Sequence, residues 1–222
     1  MTENVEDIIQ KNPKLSMKNF KMDRNLGGWV LVNVPTDCTS FEIPEGFVGI
    51  GDNAFRDCHN LQSVTFPSTI KSIGMFAFEN CTSLPNITIP DTVTSIGVQA
   101  FSNCTSLQNI KLPNSITAIG DRVFADCTLL ENISIPNSVS SIGDYAFGGC
   151  NSLKAVKIPD NVKTVDNFAY ANCASLKEIV ISPNTRFADS AFFNTKLAID
   201  VAKTYTQNCN NGRYKTKTGN ET

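Results

Sequence analysis

Apolar residues recur along this chain in columns. Leu61, Leu84, Leu107, Leu130, Leu153 and Leu176 are separated by 23 residues each, and Ile50, Ile73, Ile96, Ile119, Ile142 and Val165 keep the same step. Phe55, Phe78, Phe101, Phe124, Phe147 and Tyr170 form another column, as do Cys58, Cys81, Cys104, Cys127, Cys150 and Cys173. Punctuation repeats with them: Pro44, Pro67, Pro90, Pro113, Pro136 and Pro159 share the step, and Gly51, Gly74, Gly97, Gly120 and Gly143 follow the Ile column until Asp166 takes the place of the glycine. Units this short cannot bury their own apolar face, so the pattern predicts copies stacked on one another. It is continuous from about Phe41 to Pro183.

Within one unit, Leu84, Ile87 and Ile89 follow the arrangement L-x-x-I-x-I, whose last two members have the period of 2 of a half-buried strand. Pro90 ends that strand because it has no N–H to give to a neighbouring coil. Val93 and Ile96 stand three apart, and Ala100-Phe101 arrive on a short turn or single helical turn after Gly97.

Written out, the unit I-P-x-x-V-x-x-I-G-x-x-A-F-x-x-C-x-S-L-x-x-I-x-I resembles the leucine-rich repeat of the BspA type, also called the Treponema type. Six units match over roughly residues 41–181, and a degenerate seventh follows in Ala191-Phe192, Asn194-Thr195, Leu197, Ile199 and Val201. The resemblance implies a repeat solenoid: a right-handed leucine-rich-repeat superhelix of 23-residue coils with a parallel β-sheet on the concave face, mostly β and turns with short helical turns. The place where common leucine-rich repeats carry a buried asparagine is held here by Thr69, Thr92, Ser115, Ser138 and Asn161. The asparagine ladder is therefore mostly missing, and the cysteine column is expected inside instead.

The ends differ from the repeat. Residues 1–40 are expected to form an N-terminal cap, with a short amphipathic helix over 3–11 broken by Pro13 and a strand over Trp29–Val34; Cys38, Phe41 and Ile43 then open a first, incomplete unit. The solenoid is placed at 41–202 and a polar tail at 203–222. A poorly covered last coil leaves a parallel edge open, which invites a homodimer through the C-terminal end of the solenoid.

Composition narrows the chemistry. With 19 Lys and Arg against 21 Asp and Glu, the net charge of -2 lacks the basic footprint of a nucleic-acid binder. A single histidine leaves little from which to build a catalytic triad, a Cys/His dyad or a mixed-ligand zinc site. The acidic start has no apolar segment after it, and no apolar run approaches the roughly 18 residues of a membrane span. These features lead to a cytoplasmic expectation, with no membrane span; the resemblance implies the alternative of a cell-surface protein, which would then need unconventional export.

Candidate sites are weighed against plain structural roles. The periodic cysteines read as reduced, shielded core thiols, and no C-x-x-C or C-x-x-H pair points to a metal. His59 shares its column with Thr82, Thr105, Thr128, Asn151 and Ala174, so it reads as surface. Sequons such as Asn80-Cys-Thr82 and Asn103-Cys-Thr105 read as Asn-rich turns. No glycine pattern can cradle a phosphate, and no cofactor is expected. What remains is surface. Outward strand positions include Ser63, Thr65, Asn86, Thr88, Asn109, Lys111, Asn132, Ser134, Ala155, Lys157, Glu178 and Val180. Of these, Asn86, Thr88, Asn109, Lys111, Asn132, Ser134 and Lys157 are the expected contact residues for a protein ligand on the concave face. A second column, Asn53, Phe76, Gln99, Arg122, Tyr145 and Phe168, offers three aromatics that look exposed. The leading expectation is a non-enzymatic, protein-binding repeat protein; the resemblance adds adhesion to host proteins or other cells. The alternative is an intracellular scaffold or regulatory subunit. Scattered carboxylates such as Asp121 and Asp144 are weak material for an enzyme.

Overall fold

Each 23-residue unit closes one coil, and backbone groups left unpaired within a coil are satisfied by the next. The structure is a computed structural model that describes residues 9–10, 15–195 and 197. The L-x-x-I-x-I positions form one column of parallel strands: β3 (Ser40–Glu42), β5 (Ser63–Thr65), β7 (Asn86–Thr88), β9 (Asn109–Lys111), β12 (Ala155–Lys157) and β14 (Glu178–Val180). Their register repeats the sequence period, with Asn86 opposite Asn109 and Val156 opposite Ile179. Coil four joins through a single parallel bridge between Asn132 and Ala155. Between β5 and β7 the ladder is interrupted at Pro85. Gln62, Lys154 and Lys177 donate their N–H to the coil before from this position, and proline has no N–H with which to do so.

A second column of strands was not expected. The Ile-Gly positions pair as β4 (Phe47–Ile50), β6 (Ser72–Ile73) and β8 (Ser95–Ile96), and again as β10 (Ala118–Ile119), β11 (Ser141–Ile142), β13 (Thr164–Val165) and β15 (Arg186–Phe187). The first group is extended by a hairpin of β1 (Phe20–Asp23) and β2 (Gly28–Leu31), antiparallel to each other, with β2 parallel to β4. Buried Asn19 ties the entry of this hairpin to its exit, its side-chain amide donating to the Asn33 carbonyl at 2.5 Å. Of the N-terminal helix only residues 9–10 are described, and they are helical; the tail over 203–222 lies outside the described residues.

The segment after Gly97 is a turn and not a helical turn. Elsewhere in the described residues, helix is confined to residues 9–10 and a 3-10 turn at Met17–Asn19. Two positive-φ residues per coil account for this, for example Phe76 at 56° and Asn80 at 60°, because a left-handed residue cannot propagate a right-handed helix. These turns form a third ladder: Phe55 donates its N–H to the Ala77 carbonyl, Phe78 to Ala100 and Phe101 to Val123. The glycine before the turn is needed for close approach, since a Cβ on Gly97 would come within 2.5 Å of the Met75 nitrogen.

The core runs the length of the stack as a line of rings and a line of thiols. Phe55, Phe78, Phe101, Phe124, Phe147 and Tyr170 are fully buried. Successive rings stack face to face with centroids 4.7 to 5.7 Å apart, and Phe192 extends the line from Tyr170 at 5.5 Å. Leu61, Leu84, Leu107, Leu130, Leu153 and Leu176 are fully buried in the same core.

Candidate functional site

Strand alternation divides the first column cleanly. In β7, β9, β12 and β14 the central residue is buried and its two neighbours are exposed. Ile87, Ile110, Val156 and Ile179 anchor the backbone from below, so the outward side chains stand on a fixed frame. Asn86, Thr88, Asn109, Lys111, Asn132, Ser134 and Lys157 are all exposed, and all seven lie on this one face. The structure brings them together in two parallel rows, Asn86–Asn109–Asn132 and Thr88–Lys111–Ser134–Lys157, advancing one coil per residue. The asparagines engage one another, Asn109 donating Nδ2–H to Asn86 Oδ1 at 3.1 Å. In the row beside them, Lys154 Nζ meets Glu131 Oε2 at 2.6 Å.

The aromatic column departs from expectation. Phe76, Tyr145 and Phe168 are half-buried, not exposed. The Arg122 guanidinium sits 5.2 Å over the Tyr145 ring, Tyr145 stacks on Phe168 at 4.8 Å, and Phe193 meets Phe168 edge-on at 5.9 Å. Arg56 covers Phe76 in the same way at 5.4 Å and pairs with buried Glu79 at 2.7 Å. Ring faces are thus engaged within the chain, which reduces what this column can offer a partner.

The cysteine column lies in the core as expected. Cys81, Cys104, Cys127, Cys150 and Cys173 each donate Sγ–H to the carbonyl of the phenylalanine one coil back, at 3.2 Å, with Cys81 on Phe55 and Cys173 on Phe147. They are free thiols without exposure to solvent. Burial pushes Cys81, Cys104, Cys127 and Cys150 well above the ordinary thiol range and Cys173 up to about 12. A thiol held protonated is a poor nucleophile and a poor metal ligand. The column thus does the work of an asparagine ladder, satisfying inward carbonyls with side-chain donors. Elsewhere in the coil hydroxyls do the same: at the place of the missing asparagine Thr69 donates to the Phe47 carbonyl at 2.5 Å and Ser115 to that of Val93, and in the last coil Thr185 donates to that of Val162 at 2.8 Å.

Other sequence candidates fall on the surface. His59 is exposed, with Nδ1 3.0 Å from the Asn80 carbonyl. Asp121 and Asp144 line the turn edge, where each accepts the backbone N–H of the next coil, Asp144 and Asn167 respectively. Asp166 stands beside them, its carboxyl raised by burial and by the charges of Asp144 and Asp121. Among the described residues no group of three or more His, Cys, Asp or Glu could hold a metal ion, and no helix is long and apolar enough to cross a membrane.

Comparison with known proteins agrees with this architecture. The family model for the BspA type leucine rich repeat region matches residues 34–131 and 96–209, in six copies. No curated protein matches the sequence. A solved leucine-rich repeat protein of T. pallidum is 26% identical, with a TM-score of 0.76, covering 87% of this chain and 95% of its own. One from Bacteroides ovatus is 29% identical with a TM-score of 0.60, covering 80% and 55%. One from Eubacterium ventriosum, at 23% identity and a TM-score of 0.73 over 83% and 52%, shows likeness of fold alone. This chain spans about half the length of the latter two.

Proposed function

The chain belongs to the BspA-type leucine-rich repeat family, and from that premise we propose that it is a non-enzymatic binding protein whose strand face, on the concave side, receives a protein ligand. One observation carries this reading: seven exposed polar residues, Asn86 to Lys157, lie on one face of strands whose inward residues are buried. Such a surface loses little conformational freedom on binding, so the contacts it makes are not spent on ordering the chain. Its amides and hydroxyls can pair with a partner's backbone as well as its side chains. The hairpin of β1 and β2 serves as the N-terminal cap, which a solenoid needs so that its first apolar layer is covered.

The family supports an adhesive role, in which the ligand belongs to a host protein or another cell. The competing role is a scaffold or regulatory subunit inside the cell. Surface protease shaving of intact cells separates the two: release of the chain supports adhesion, and complete protection overturns it. For the binding itself, the immobilised protein is compared with a variant carrying Asn109→Arg and Asn132→Arg. The variant is expected to lose the captured partner with its circular dichroism unchanged. Undiminished capture by this variant would remove the strand face from the reading.

A further inference from the structure

The strand face is not uniform along the stack. Its first coil carries the exposed Glu42 and the next two present the uncharged Ser63, Thr65, Asn86 and Thr88, whereas the later ones carry Lys111, Lys154, Lys157 and Lys177 against Glu131 and Glu178. This local excess of positive charge belongs to a chain whose net charge is -2. Lys154 is already matched by Glu131 at 2.6 Å. Lys111 and Lys157 are not: among the described residues neither has a carboxylate within ion-pair distance. Both are exposed and both occupy the same row, two coils apart with Ser134 between them. At about 4.8 Å per coil the two backbone positions lie about 10 Å apart.

We propose that this half of the strand face recognises an acidic segment of the protein ligand, an extended stretch whose carboxylates meet Lys111 and Lys157 while Asn109 and Asn132 hydrogen-bond its backbone. The proposal rests on the reading of the strand face as the protein-binding surface. A separation of about 10 Å corresponds to residues three apart in a polyproline II segment, at about 3.1 Å per residue, and three residues per turn bring both carboxylates to the same side. Nucleic acid fits less well, because its charges recur far more closely and binding draws on a wider basic footprint than two unmatched lysines. The opposite edge is unsuited to the same segment, since Asp121, Asp144 and Asp166 would repel it.

The test uses the whole isotope-labelled chain and three blocked peptides: Glu-Gly-Gly-Glu-Gly-Gly-Glu, and the same peptide with glutamine or with lysine in place of glutamate. The glutamate peptide is expected to shift the backbone amides of Lys111, Ser134 and Lys157, with an affinity that falls about tenfold from low to high salt. The glutamine and lysine peptides should bind at least about tenfold more weakly, and Lys111→Glu with Lys157→Glu should abolish the shifts of the glutamate peptide. Equal shifts of the same amides by the glutamine peptide would overturn the acidic assignment while leaving the strand face as a binding surface. Shifts confined to Arg122, Lys163 or Arg186 would overturn both readings. An absence of shifts anywhere would overturn the acidic assignment, with the Asn109→Arg and Asn132→Arg capture experiment deciding the face independently. A deoxythymidine oligonucleotide that shifts the same amides as strongly would make this a general polyanion surface and would also overturn it.

Discussion

Five core thiols, from Cys81 to Cys173, are fixed by their place in the stack, protonated, donating to the carbonyl of a phenylalanine one coil back and sealed from solvent, while Cys58 faces the Pro35 carbonyl at 3.9 Å. Denaturant should therefore be required before Cys81, Cys104, Cys127, Cys150 and Cys173 react with a thiol reagent; rapid labelling of the native chain would contradict their burial. Folded thiols keep their protons at a pH where unfolded ones ionise, near 9. The folded state thus binds more protons above that point, and stability that is complete at lower pH is lost as pH rises, by about 1.4 kcal/mol per pH unit for each thiol. Urea unfolding at about pH 8 and about pH 10 should show a steep fall, and equal midpoints would count against it. The ring column makes a second set of expectations. Phe101→Ala empties a fully buried site between two stacked neighbours and should cost about 3–5 kcal/mol. Tyr170 carries the one hydroxyl of that column, buried and, among the described residues, without a hydrogen-bond partner. Removing it in Tyr170→Phe should stabilise the chain by about 1 kcal/mol, and a loss of stability would mean the hydroxyl has a partner. Both the thiol and ring columns were legible from their period alone, because a position that keeps one bulky or soft apolar residue through six coils faces inward. The pairing of thiol with carbonyl was not, since it joins residues 26 apart and depends on how far the turn brings the backbone across the coil.

The first strand column could be read from L-x-x-I-x-I, where inward and outward positions alternate. The second could not. Ser95–Ile96 and Ala118–Ile119 are two residues long, too short for any alternation to show, and only pairing across coils makes them strands. The turns hid a different feature. Asn80, Asn103 and Asn172 suit a left-handed backbone, but Phe76, Gln99, Arg122, Tyr145 and Phe168 adopt it as well, at φ between 53° and 57°. Bulky side chains rarely do so, and the conformation costs about 1–2 kcal/mol per residue. Ring stacking and cation–π contacts along the axis offset part of that cost where aromatics are present, and this explains why the aromatic column is half-buried. Gln99 makes no such ring contact, so Gln99→Gly should raise stability by about 0.5–1 kcal/mol while Gln99→Ala stays within about 0.5 kcal/mol. Gly97→Ala, two residues earlier, should cost about 1–3 kcal/mol because its Cβ meets the backbone of the preceding coil. Urea midpoints for the three variants give the comparison, and a stabilising Gly97→Ala would show that the coils can separate at the turn.

Because every coil touches only its neighbours, the molecule offers long surfaces made of one residue per coil, and the proposed binding role depends on which of them a partner would read. Fold and family were legible in the repeat itself. The proposed binding surface was legible only as far as the strand register distinguishes outward from inward, and its charge pattern depends on residues contributed by separate coils, as with Lys111 and Lys157. The other long surface, the turn edge, closes its ring faces on Arg122, Tyr145, Phe168 and Phe193 within the chain. A central contact in a protein interface typically costs about 2 kcal/mol or more on truncation, whereas rim positions cost little. Partner capture by Lys111→Glu with Lys157→Glu, set beside Tyr145→Ala with Phe168→Ala, therefore decides between the two surfaces. The lysine pair should lose capture and the aromatic pair should retain it, both with native circular dichroism; loss in the aromatic pair alone would move the interface to the turn edge and contradict the account.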